Sequence, residues 1–227
     1  MRPPSTVSCR PRARPCLTFA PLLPGGGESR SGDRVLKHVV KVLGERGETV
    51  GDETIKHEVS VFDPLEVFGE GGALASSGAQ LQTPHFYLRD SAPPEMNAMA
   101  EVIKAADGYV VVTCEYNHSI PPALTSMMGH FGGSNYAFKP SAVVTYSPGQ
   151  AGGARVAMAL RPFLSELGCL PVSKTVNFSE PAKLLTEEGE VADPEARMLK
   201  QLPAMLGQFE WMAQALAKQR AVAGVPS

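Results

Sequence analysis

The sequence predicts a doubly wound α/β fold: a five-stranded parallel sheet between two layers of helices, α/β/α. Strand-like and helix-like segments alternate along the chain in the order β, α, β, α, β, α, β, α, β, α, and strict alternation of this kind favours parallel strands joined by crossover helices. The segment YVVVT at 109–113 is apolar at every position but its end, as a strand covered by helices on both faces must be. The turns after the first, third and fourth strands are rich in Gly, Pro and hydroxyl residues, and in a parallel sheet such turns open on one edge.

The first strand is CLTFAPLL, within which Pro21 limits central pairing. A glycine-rich turn, PGGGESRSGD, leads into a helix marked by Val35, Val39, Val42 and Leu43, with Gly47 as its stop. HEVSVFDP alternates and ends at Asp63-Pro64, a second strand closed by a turn. Residues 65–91 read as a long irregular stretch carrying TPHFYLRD, and loops of that length are either functional or disordered. Met96, Met99, Val102, Ile103 and Ala106 share one helical face before the third strand. A helix over 120–130 follows, then a fourth strand, KPSAVVTYS, and the turn PGQAGG. Val156, Leu160, Phe163, Leu164 and Leu167 mark the next helix, with Gly168 as its stop and Pro162 expected to kink it. CLPVSKTVNF is a short fifth strand, and Asp193-Pro194 supplies the cap and first-turn proline of a long C-terminal helix.

The 227 residues suit one domain with extensions. Residues 1–24 carry Arg2, Arg10, Arg12 and Arg14 among prolines with no acid before Glu28, and read as a divergent, disordered extension; residues 25–220 form the domain. A formal net charge of -2 gives no reason to expect a nucleic-acid partner, and no apolar run is long enough to span a bilayer. Cys9, Cys16, Cys114 and Cys169 are widely spaced without metal-like partners, which fits free thiols in a cytoplasmic protein and no metal site.

Three turns are candidates for chemistry. The first, with Ser29, Arg30 and Ser31 ahead of a helix N-terminus, suits an anion such as phosphate. The second is EYNHSIP at 115–121, where Ser119 as a cap and Asn117 as a turn former give a purely structural account, while Tyr116 beside exposed amides suits a planar ligand. The third, with Ser147, Pro148, Gly149, Gly152 and Gly153, offers backbone that a flat polar ring can approach.

EYNHSIP after an apolar strand, YSPGQAGGARVAMALRPFLSELG after the next and SGDRV opening the first helix resemble the NAD(P)H-dependent FMN reductases. These are flavodoxin-like enzymes related to NAD(P)H:quinone reductases. The resemblance covers roughly residues 29–180. It implies FMN as cofactor and NAD(P)H as co-substrate, with hydride passing through flavin N5 to a quinone, free flavin or similar small-molecule acceptor. It implies that Glu115, Tyr116, Asn117, His118 and Ser119 wrap the polar edge and one face of the ring, mostly through backbone. The turn with Ser147, Pro148, Gly149, Gly152 and Gly153 would contact the pyrimidine side, and the first turn the phosphate. A homodimer or homotetramer is implied as well. One departure stands out. Where the family's first loop reads G-S-x-R, alignment through SGDRV places Pro24, Gly25 and Gly27, so Ser29, Arg30 and Ser31 are the available phosphate partners. Cys114 and Gly129 also replace residues usual in the family. The alternative reading is a flavodoxin-like binding or interaction module that has lost productive FMN binding.

No side chain stands out as a nucleophile or acid/base group. His118 is the one titrating candidate, since imidazole changes charge near neutral pH. His38, His57, His85 and His130 read as surface or structural, Phe86 and Tyr87 as either lid or core, and Asp63 as a strand-end turn. Met205, Phe209, Trp211 and Met212 of the last helix read as core.

Overall fold

The computed structural model describes residues 15–19, 31–50, 53–75 and 83–226. Strands β1 (Pro15–Phe19), β4 (Glu58–Phe62), β5 (Gly108–Cys114), β6 (Pro140–Ser147) and β7 (Leu170–Ser179) form one sheet in the order β4-β1-β5-β6-β7. Every neighbouring pair in it is parallel. Counting only these strands, the order is 2-1-3-4-5, that of flavodoxin-like sheets.

Alternation along the central strands assigns each side chain to a face. Tyr109 and Val111 of β5 join one buried cluster with Met96, Met99 and Ile103 of α4 (Pro94–Ala105), Leu124 and Met127 of α5 (Pro122–Gly129), and Val156 and Leu160 of α7 (Ala154–Glu166). Val110 and Val112 join the opposite cluster with Val35, Val39 and Leu43 of α1 (Ser31–Glu45) and Leu202, Leu206 and Phe209 of α9 (Arg197–Ala223). The all-buried pattern of β5 follows, since neither face of the strand meets water. The expected α/β class with a parallel sheet is therefore what the chain adopts.

Several expected boundaries move. Strand β1 lies inside residues 1–24 and pairs with both β4 and β5, so the sheet reaches into the segment set apart as an extension. Residues 20–23 of its expected span fall outside the described residues. Gly47 does not stop α1 but opens β2 (Gly47–Val50), which pairs antiparallel with β3 (Glu53–Lys56). Arg46 and His57 at the base of this hairpin both bind Glu210 of α9, the arginine through two bonds of 2.8 and 2.6 Å and the imidazole at 2.9 Å. That long-range clamp is invisible to local pattern reading.

The stretch expected to be irregular contains α2 (Pro64–Val67), capped by Asp63 accepting from the Leu65 N–H at 2.9 Å, and α3 (His85–Leu88). Helix α7 continues through Pro162 to Glu166. The last helix begins at Arg197 rather than at Asp193-Pro194, because Asp193 caps a preceding turn, accepting from the Glu195 N–H at 3.0 Å. The described residues also include two short helices, α6 (Gly133–Tyr136) and α8 (Pro181–Leu184), and a 3-10 turn at Arg89–Ser91. Among the described residues no helix is long and apolar enough to cross a membrane.

Candidate functional site

The order in which strands are added reverses between β1 and β5: β4 lies on one side of β1 and β5 to β7 on the other, all of them parallel. Ligand crevices form at the carboxyl ends of strands at such a switch point. The carboxyl ends of β1, β5 and β6 all lie at this edge. Ser29 and Arg30 lie outside the described residues; Ser31 is the first residue of α1 and half-buried.

After β5 the chain makes a minimal hairpin. The Tyr116 N–H donates to the Ser119 carbonyl at 3.1 Å and the Ser119 N–H to the Tyr116 carbonyl at 2.9 Å, with Asn117 at φ 49° and His118 at φ 61° between them. Two successive positive φ values define a type I′ turn, and Asn and His are among the non-glycine residues that tolerate this region. Ser119 thus closes the turn through its backbone and does not cap α5, whose N-cap is Pro121. Residues 116 to 119 are all exposed, Tyr116 at 45%. No hydrogen bond among the described residues uses the N–H of Asn117 or His118. Two adjacent backbone donors therefore face outward on a stiff turn.

The turn is moored to its neighbour. The Glu115 N–H donates to the Tyr146 carbonyl of β6 at 3.3 Å, and the Glu115 carboxylate, only 6% exposed, accepts from Arg155 Nε at 2.6 Å and from the Arg155 backbone N–H at 3.3 Å. Arg155 Nη2 also reaches the same carboxylate. Burial works to raise the Glu115 pKa, but the hydrogen bond and charge of Arg155 outweigh it and hold the group below its ordinary value. Glu115 was read as wrapping a ligand; its side chain is committed to α7, leaving only its backbone for that role. Arg155, absent from the sequence candidates, is the residue this adds. A cation in the first turn of α7, unfavourable against the helix dipole, is the one sequence signal that could have pointed to an acidic partner.

In the turn after β6, Gly152 and Gly153 have φ 56° and 82°, and a Cβ on Gly152 would come within 2.9 Å of the Ser179 nitrogen, one on Gly153 within 2.9 Å of the Thr145 Cβ. These glycines let the turn press against its own sheet. Thr145 Oγ1 donates to the Gly152 carbonyl at 2.8 Å and accepts from Asn177 Nδ2 at 2.6 Å, while Ser147 Oγ donates to the Gly149 carbonyl at 3.1 Å. Pro148 and Gly149 remain exposed.

Helix α1 is pinned from the far side: Arg34 Nη1 donates to the Leu185 carbonyl at 2.9 Å, Lys37 to the Glu187 carbonyl at 2.8 Å, and the His38 ring meets the Gly189 carbonyl at 3.0 Å. Burial lowers the His38 pKa. His57, His85 and His130 each have a protein partner, Glu210, the Asn97 side chain and the Ser126 carbonyl. Among the described residues no group of three or more His, Cys, Asp or Glu side chains could hold a metal. Phe86 and Tyr87 are 43% and 70% exposed with ring centroids 4.4 Å apart, so neither is core. Met205 and Phe209 are buried as expected, but Trp211 is 71% exposed. The free thiols Cys114 and Cys169 are buried, which pushes both pKa values up.

A family model described as NADPH-dependent FMN reductase matches residues 22–183. The chain belongs to the NADPH-dependent FMN reductase family. It is 38% identical over 85 residues to a quinone reductase of Escherichia coli (strain K12), a match covering 36% of this chain and 45% of that protein. It is 31% identical over 113 residues to an NAD(P)H-dependent FMN reductase of Pseudomonas aeruginosa, covering 48% and 61%. The chain thus spans about half the length of the curated relatives it matches. An oxidoreductase structure from Corynebacterium diphtheriae superposes with a TM-score of 0.62 at 18% identity, over 89% of this chain and 97% of that one. FerB, a flavoenzyme NAD(P)H:(acceptor) oxidoreductase from Paracoccus denitrificans, gives 0.60 at 18%, over 90% and 98%. These two likenesses support the fold.

Proposed function

We propose that the protein is an NAD(P)H-dependent FMN or quinone reductase, with FMN seated on the turns that follow β1, β5 and β6. The observation that carries this is the type I′ turn, whose Asn117 and His118 N–H groups face outward beside an exposed Tyr116. The donor set fits the group: two preorganised backbone donors suit the polar edge of an isoalloxazine, and the tyrosine ring suits its flat face. When bound, FMN would supply N5 as hydride acceptor and pass the electrons to a quinone, free flavin or similar small molecule.

The chain's own residues would bind, orient and stabilise. Asn117 and His118 would donate from backbone to the ring edge and favour negative charge there, at no reorganisation cost because their turn is already closed by the Tyr116–Ser119 pair. Glu115 and Arg155 would hold that turn against the loop carrying Ser147, Pro148, Gly149, Gly152 and Gly153. Ser29, Arg30 and Ser31 would take the phosphate in place of the family's serine and arginine. His118 is the one candidate proton carrier in this reading, and no other side chain needs to transfer a proton. We place the protein in the cytoplasm as a homodimer or homotetramer.

The experiment is an FMN titration of the purified chain followed by anaerobic reduction with NADPH and with NADH. Stoichiometric uptake and bleaching of the flavin absorbance by either nicotinamide is expected. A protein that takes up no FMN would instead be the flavodoxin-like binding module that Gly25 and Gly27 allow.

A further inference from the structure

We infer that the cavity along the outer edge of β7 is a binding site for a phosphoryl group, separate from the turn at Tyr116–Ser119. Strand β7 is an edge of the sheet. Its first half is closed by side chains: Arg161 donates to the Val172 carbonyl at 3.0 Å, and Gln208 accepts from the Lys174 N–H at 3.1 Å and donates to Ser173 Oγ at 2.8 Å. Farther along, the edge opens into a cavity of about 360 Å³ between the turn after β6, the end of β7 and the start of α9. Gln150, Thr175, Asn177, Ser179, Arg197 and Gln201 supply its polar lining, which contains no carboxylate.

Arg197 decides the chemistry. Arg34, Arg46, Arg155, Arg161 and Arg220 each bind a carbonyl or carboxylate of the protein. Arg197 has no such partner among the described residues, and the nearby Glu195 is engaged by Lys200 at 2.6 Å. Thr175, Ser179, Gln150 and Gln201 likewise make no hydrogen bond through their side chains among the described residues. A free guanidinium fork flanked by hydroxyl and amide donors matches a tetrahedral oxyanion, for which a planar bidentate donor is the strongest neutralising partner. The absence of acid from the first turn of α9 adds to this in the same direction. Asn177 also holds Thr145, which holds the Gly152 carbonyl, so the site sits directly behind the turn after β6.

The test is a titration of the full chain followed by heteronuclear NMR at constant ionic strength, first with inorganic phosphate and separately with adenosine monophosphate. Saturable shifts of the amides of Ser179, Met198 and Gln201 are expected. Arg197→Gln should weaken binding about tenfold, the usual loss for one charge-assisted hydrogen-bonding partner. Gln201→Glu, which sets a carboxylate in the lining, should abolish it. Tighter binding of the nucleotide would identify an ester as ligand, and equal binding the free ion. Shifts that never saturate, or an affinity unchanged in Arg197→Gln, would overturn the assignment. The readout does not depend on FMN, and Arg197 is exposed without a protein partner, so the variant leaves the fold intact.

Discussion

Replacing Glu115 by Gln should unmoor the hairpin from α7. The wild-type carboxylate is 6% exposed and Arg155 52%, so one partner of the pair is desolvated and the other stays in water. A charge-assisted hydrogen bond contributes about 1.5–3 kcal/mol, and screening of the exposed partner brings the expected coupling down to about 1 kcal/mol. The sign with pH follows from the direction of the shift. Because Arg155 holds the folded-state pKa of Glu115 below its ordinary 4.5, the stabilisation is complete above that value and is lost as pH falls through the folded-state pKa. Urea unfolding of wild type, Glu115→Gln, Arg155→Met and the double variant, near neutral pH and in acid, measures the coupling as a double-mutant cycle. A coupling below about 0.3 kcal/mol near neutral pH, the level expected of unconnected sites, would refute the strut. So would a coupling that persists unchanged in strong acid. If the strut orders the proposed flavin turn, Glu115→Gln should also weaken FMN binding by about tenfold, equivalent to about 1.4 kcal/mol.

Gly153→Ala should destabilise the fold by about 2–4 kcal/mol in thermal or urea unfolding, combining left-handed strain with a Cβ 2.9 Å from the Thr145 Cβ. Gly71→Ala, also at positive φ but with open space around it, should cost only the strain, about 1 kcal/mol. Lys139, buried and donating to the carbonyls of Lys104 and Asn135 at 2.7 and 2.9 Å, has its pKa pushed by burial down from 10.5 to about 8. Its contribution to stability should therefore rise as pH climbs from about 8 to 10.5 and vanish in Lys139→Met, measured as the difference between the two proteins' unfolding curves, the opposing titration of Cys169 being present in both. Glu210→Gln should speed amide hydrogen exchange in β2 and β3, because it weakens the clamp on Arg46 and His57; exchange unchanged from wild type would show the strand pair to be held by other contacts.

What could be read from the sequence follows from the range of each interaction. The central strands and α1, α4 and α7 were legible because their apolar periodicity is local and their burial matches it, as with Val35, Val39 and Leu43. The hairpin β2–β3 was not, since Gly47 at the end of an apolar helical pattern looks like a cap until a partner strand and the Glu210 clamp are known. Trp211 misled because a 27-residue helix with a buried stripe still turns large side chains to solvent. At the candidate site the turn EYNHSIP was visible, while its conformation and its mooring depend on Arg155, forty residues away in sequence.

The division of labour at the sheet edge accounts for why a connection that two residues could make carries so many polar ones. Glu115 is used up in the ion pair with Arg155, and the backbones of Tyr116 and Ser119 in closing the turn. Asn117 and His118 hold positive φ, which for most side chains would be strained. Each polar residue thus fixes the position of two backbone donors without competing for whatever they face. Substituting Asn117 by Gly should preserve the turn and any ligand binding that rests on backbone donors, since glycine adopts type I′ geometry freely. Substituting it by Val should disrupt both, because a β-branched residue resists positive φ. FMN titration of the two variants separates the backbone account from one in which the Asn117 side chain binds: loss of affinity in Asn117→Gly with the turn intact by NMR would favour the side chain.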